Sequence, residues 1–97
     1  MLNHKALLAT ALLIPLTCTS ALAQDRCLAV VGDGIGFRED PWVHHSNVIA
    51  WFDTGVKFYD LRVTSEGWRK LQLTYDINNR DAVGWIPLRN LRPTRCP

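Results

Sequence analysis

Hydrophobic residues in the second half of the chain fall on alternate positions. Across residues 68–77, Leu71, Leu73, Tyr75 and Ile77 recur every second place, while Trp68, Lys70, Gln72, Thr74 and Asp76 take the opposite parity. A period of two predicts a strand with one buried face. Asn78, Asn79, Arg80 and Asp81 follow. Asparagine and aspartate tolerate left-handed backbone and bond their own main chain, so a turn is expected there. Residues 82–86 form a second short strand that runs into Pro87, whose missing amide donor ends the ladder. If Leu71 and Ile86 face the core, Trp68 and Trp85 both lie on the other face.

Upstream, apolar runs at 27–31 and 48–52 predict two more strands, and residues 56–63 a further one. In the last of these the alternation breaks. Val56 and Phe58 share one parity, Leu61 and Val63 the other, and a one-residue bulge near Tyr59 and Asp60 would bring both pairs to one face. Asp53-Thr54-Gly55 and Thr64-Ser65-Glu66-Gly67 read as tight turns, and residues 37–47 as a long irregular loop. The Gly-rich stretch 32–36 lacks the following helix that a nucleotide-binding turn requires, so it reads as a flexible connection. About five short strands, closely spaced, predict a small all-β barrel or sandwich.

The first residues change what is counted. One lysine, an apolar run over residues 6–16 and small residues ending Ala21-Leu22-Ala23 make the three-part pattern of a secretory signal cleaved before Gln24. The run is shorter than the roughly 20 residues a membrane span takes, and no further membrane segment is expected. Lipidation at Cys18 would need smaller residues than Leu16 and Thr17 before it. Taking residues 1–23 from the 97 leaves 74, with 10 basic against 9 acidic side chains. So even a balance, with arginines dispersed, gives no nucleic-acid footprint. Cys27 and Cys96 remain, one near each end, and in an oxidising compartment they are expected to pair. A crosslink closing nearly the whole domain is worth about 4 kcal/mol on the chain-entropy account. A domain this small buries only about 60% of its unfolded surface and needs such help. A metal site using the cysteines with His44 and His45 lacks the usual spacing, and no cofactor is expected.

Four pieces in order resemble the bacterial Src homology 3 (SH3) domains of secreted and envelope proteins: Phe37-Arg38-x-x-Pro41, Val48-Ile49-x-x-Phe52-x-x-Gly55, Gly67-Trp68-x-x-Leu71 and Gly84-Trp85-Ile86, with Leu91 closing the module. The resemblance implies a five-stranded SH3-like β-barrel over residues 36–93. Residues 24–35 would then be a lead-in strand and loop carrying Cys27, and residues 94–97 a tail carrying Cys96. Gly84-Trp85-Ile86-Pro87 also resembles the strand with which eukaryotic relatives bind proline-rich peptides, although Asn90 stands where those carry tyrosine. Bacterial relatives commonly bind peptidoglycan or its peptide stems.

A non-enzymatic binding module is therefore expected, with Trp68, Trp85 and Pro87 as an aromatic shelf and Trp42, Glu39 and Asp40 beside it from the long loop. Such faces suit sugars and peptides. Alternation leaves the facing of Trp51 and Tyr59 open. The partner would be peptidoglycan fragments or, as the alternative, an envelope protein that this small exported chain inhibits or joins. An enzyme reading would need the Glu39–Asp40 carboxylates to work as a pair or His44 to act as an acid–base group. Adjacent side chains diverge, and no buried setting is evident for either.

Overall fold

The computed structural model describes residues 27–97. The signal-peptide expectation for residues 1–23 and the lead-in 24–26 lie outside them. Seven strands form one antiparallel sheet: β1 (Cys27–Val30), β2 (Ile35–Arg38), β3 (Val48–Phe52), β4 (Lys57–Ser65), β5 (Trp68–Leu73), β6 (Val83–Pro87) and β7 (Leu91–Thr94). Their order across the sheet is β3-β2-β6-β5-β4-β1-β7. A single 3-10 turn, Leu88–Asn90, is the helical element among the described residues. The all-β expectation holds. The five-strand closed barrel is corrected: among the described residues there are seven strands, and no ladder joins β3 to β7, so the sheet keeps two edges.

The inward face nonetheless closes on one core. Val30, Phe37, Phe58, Leu71, Leu73 and Ile86 are buried together, drawn from β1, β2, β4, β5 and β6. Phe37, Phe52 and Phe58 make a ring cluster with centroids 5.0 to 5.9 Å apart. Aromatic pairs at this spacing add to plain area burial. On β5 and β6 the register Leu71↔Gly84 and Arg69↔Ile86 sets the inward residues opposite one another. Gly84 lets β2 come close. A methyl there would stand 2.6 Å from the Arg38 carbonyl oxygen and 3.0 Å from the Phe37 ring.

Both added strands carry residues that weaken the strand pattern. In β2 Gly36 contributes no side chain to the alternation, and the stretch assigned to loop begins instead with a strand whose Phe37 is wholly buried. In β7 Pro93 cannot donate to a ladder, which an edge strand tolerates.

The other strands shift at their ends. The 68–77 strand stops at Leu73, where Thr74 turns its hydroxyl onto the Lys57 carbonyl at 2.9 Å. Tyr75 is then 54% exposed, while Ile77 still packs on the core. Asn78 and Asn79 both take positive φ, 53° and 61°, between the bridged Ile77 and Arg80. That is the left-handed turn expected of them. The 82–86 strand moves on by one residue and ends with Pro87 as its last member, after which the Leu88 amide donates to the Gly67 carbonyl at 2.8 Å.

The irregularity in β4 is real but differs in place and effect. Asp60 pairs with Leu71 and Thr64 with Arg69, so residues 61–63 face Lys70 alone. Arg62 sits at φ 60°. Asp60 holds the kink: its carboxylate accepts the Arg62 amide at 2.8 Å, and Nε and Nη2 of Arg69 at 2.8 and 2.9 Å. Arg69 Nη1 donates to Thr64 Oγ1. The Asp60 hydrogen bonds hold the Arg69 guanidinium above its ordinary pKa. Leu61 and Val63 stay exposed, because the hairpin here has run past the core.

Cys27 and Cys96 are joined by a disulfide. β1 and β7 run side by side, with Cys27 opposite Thr94, so the expected meeting of the two ends is what brings the sulfurs together.

Candidate functional site

The outward face of the sheet centre is read from three registers. Trp68 lies opposite Pro87 and Lys70 opposite Trp85. Trp85 lies opposite Arg38. Gly36 lies opposite Trp51. Trp68 and Trp85 thus share the face turned away from Leu71 and Ile86. A groove of about 160 Å³ opens there, lined by Gly36, Arg38, Trp51, Trp68, Pro87 and Arg89, with Val43 and Asn90 also at its walls. Gly36 and Pro87 offer little bulk between the two indoles of Trp51 and Trp68. Trp51 is 62% exposed.

The candidate residues separate in space. Trp68 and Pro87 line the groove. Trp85 does not; its ring lies 6.0 Å from Lys70 Nζ, a cation–π distance. Trp42 is 56% exposed and outside the groove, although its neighbour Val43 lines it. Glu39 lines a second hollow of about 420 Å³ with Ile49, Ile77, Arg80, Asp81 and Val83 among its walls. Asp40 lines neither and receives the Trp42 amide on its carbonyl at 2.9 Å. The structure brings Trp68 and Pro87 together and leaves the two acids apart from them.

Arg38 and Arg89 enter the site without having been singled out, and Trp51, whose facing alternation left open, joins them on the groove wall. Trp51 shares parity with Ile49, which packs on the core. The register explains it: Phe37 pairs with Ala50 and Arg38 with Val48, so Ile49 is an extra residue on β3. This bulge turns Ile49 inward and sends Trp51 outward, as bulges re-aim side chains. The break in apolar parity between Ile49 and Phe52 is the signal that could have found it.

The loop over residues 39–47 is held by its own hydrogen bonds. The Glu39 amide donates to the Asn47 carbonyl at 2.8 Å. Asn47 Nδ2 donates to the Trp42 carbonyl at 2.9 Å, while Arg38 Nη1 donates to the His44 carbonyl and to Asn47 Oδ1 at 2.9 and 3.0 Å. The guanidinium carbon of Arg38 lies 5.7 Å from the Trp51 ring. His44 and His45 stack at 4.4 Å, with Ser46 Oγ 2.7 Å from His44 Nδ1. At the Gly-rich turn, the Gly32 and Gly34 amides are already taken by Thr54 Oγ1 and Asp53 Oδ1, at 2.9 and 2.8 Å. That leaves those two donors engaged where a phosphate loop would need them.

Among the described residues no group of three or more His, Cys, Asp or Glu side chains is placed to hold a metal. No helix there is long and apolar enough to cross a membrane. No protein-family model, curated protein or solved structure matches the chain.

Proposed function

We propose that the chain is an exported, non-enzymatic binding module of the bacterial SH3-like kind. In this reading its groove takes peptidoglycan or the peptide stems of peptidoglycan. The observation that carries it is the groove itself: two indoles, Trp51 and Trp68, stand on either side of Gly36 and Pro87 on the outward face of the sheet centre. Flat aromatic surface around a narrow slot suits sugar rings and extended peptides, which offer apolar faces edged with hydrogen-bonding groups. The Gly84-Trp85-Ile86-Pro87 strand at the middle of the sheet supports the kinship with SH3-like modules. The Cys27–Cys96 disulfide supports export to an oxidising compartment.

Retention of the exported, disulfide-bonded protein on purified sacculi tests this. Wild-type protein is expected to co-sediment. The double substitution Trp51→Ala and Trp68→Ala is expected to abolish retention, and Trp85→Ala to weaken it less. Equal retention of all three proteins would remove the groove from the reading. An envelope protein as partner is the second reading. It is favoured by Tyr59, Leu61 and Val63, exposed on β4 and outside the groove. Cross-linking in the periplasm that yields one defined adduct, lost in Leu61→Asp with Val63→Asp, would favour it over wall binding.

A further inference from the structure

Arg38 is only 9% exposed, yet it has no ion pair among the described residues. Its two hydrogen bonds, both from Nη1, go to neutral oxygens of His44 and Asn47. A buried cation normally has a counter-charge, because removing it from water is otherwise expensive. Here a second cation, Arg89, lines the same groove, and no acidic side chain does. The groove therefore gathers two cations with no acidic side chain on its walls, and Arg38 meets only neutral oxygens and the Trp51 ring among the described residues.

The free edge of the guanidinium shows where the balance belongs. Nε and Nη2 make no hydrogen bond among the described residues, and no buried side-chain nitrogen or oxygen there lacks a partner. These two atoms consequently reach solvent. Together they form the side-on fork that matches the two oxygens of a carboxylate. Gly36 leaves room for the guanidinium beside it. A methyl at Gly36 would stand 3.1 Å from Nη2 and 3.2 Å from Nε.

We infer that the groove contains a carboxylate subsite, formed by the Nε–Nη2 edge of Arg38 with Arg89 as the second cation. Its occupant is a short peptide bearing free carboxylates, whose remaining length lies over Trp51, Trp68 and Pro87. The inference rests on the wall-binding reading and narrows it: the charged peptide stem is the ligand, and the neutral glycan strand is not. N-acetylated sugars offer the indoles a surface but give the fork no anion.

The test uses the exported protein labelled with nitrogen-15, and a synthetic stem tripeptide, alanyl-γ-glutamyl-diaminopimelate, as the free acid and as the full amide. Acetate serves as a minimal anion. The free acid and acetate are expected to shift the Arg38 Nε–H resonance, and the amide to leave it in place. The acid is expected to bind at least about tenfold more tightly than the amide, as a charge-assisted bidentate pair implies. Gly36→Ala, which crowds the Arg38 guanidinium while keeping both charges, is expected to reduce that preference. Arg89→Gln, an exposed change that leaves the sheet intact, is expected to reduce it. An unmoved Arg38 resonance, or equal binding of acid and amide, overturns the subsite. If sacculi are still retained, that result leaves wall binding standing. A resonance moved by acetate in a protein that sacculi do not retain keeps the carboxylate subsite and removes the wall reading.

Discussion

On the β4–β5 hairpin, Arg69 lays its guanidinium on both oxygens of Asp60 and adds Thr64. Over β2, Arg38 is the more buried of the two and reaches only neutral oxygens. Both arginines sit at a backbone irregularity, Arg69 across from the Asp60–Thr64 kink and Arg38 at the Ile49 bulge. At the first, the counter-charge comes from the fold and fixes Arg62 in left-handed backbone. At the second, hydrogen bonds shape the loop and leave Nε and Nη2 without a partner among the described residues. One region spends its charge internally; on the reading proposed above, the other presents it.

Both regions share one covalent clasp, so opening it sets the reference for everything else. Reducing Cys27–Cys96 releases a loop of 69 residues' separation and is expected to remove about 4 kcal/mol of stability. Urea denaturation with and without reductant measures this, and the loss should appear in both regions alike. Gly84→Ala separates them. The new methyl meets the Arg38 carbonyl oxygen at 2.6 Å, forcing β2 off β6 at about 1–3 kcal/mol, the usual range for overpacking. Amide exchange should quicken in β2 and β3 while β5 keeps its protection along β4. Equal loss everywhere would show that the two regions do not open independently.

Asp60→Ala makes the opposite cut. Its pair with Arg69 is well aligned but partly exposed, at 13% and 25% for the two side chains, so about 1 kcal/mol is expected, shrinking with added salt. Binding in the groove should be untouched. The smallest effect concerns pH. A hydrogen bond with Asp81, and then the negative charge of Asp81, hold the Asp76 carboxyl above the ordinary carboxylate range. A carboxyl with a raised folded-state pKa keeps its proton more firmly when folded. Its support is therefore present in acid and is lost as pH climbs through the raised value. Asp76→Asn should melt slightly higher than wild type at about pH 7 and show no such gain at about pH 3, where the wild-type carboxyl is protonated as well.

These contrasts also show which features a linear reading can reach. Leu71, Leu73 and Ile86 announce their burial by period alone, and Asn78-Asn79 announce a left-handed turn by chemistry. Cys27 and Cys96 announce a partner by being the cysteines left after the leader pattern. Strands β2 and β7 are hidden, since Gly36 and Pro93 interrupt the very signal that defines a strand. Arg62 is hidden too, because arginine has no preference for positive φ and adopts it here only under Asp60. The groove was half visible. Trp68 follows from alternation and Pro87 from the resemblance, but Trp51 is re-aimed by Ile49, and Arg38 and Arg89 meet the indoles only once the sheet and the turn after β6 are folded. Trp85 shows the limit of parity: it gives the face of the sheet and says nothing of which neighbour a ring leans on.

The bond between Cys27 and Cys96 turns residues 27–96 into a covalent ring. A single protease nick inside that ring, for example among the exposed residues 42–46, frees no fragment. The nicked molecule gains one water in mass, migrates as one species without reductant and falls into two pieces with it. Wherever proteases meet the folded protein, damage to the loop beside the groove would thus stay attached to the protein that suffered it.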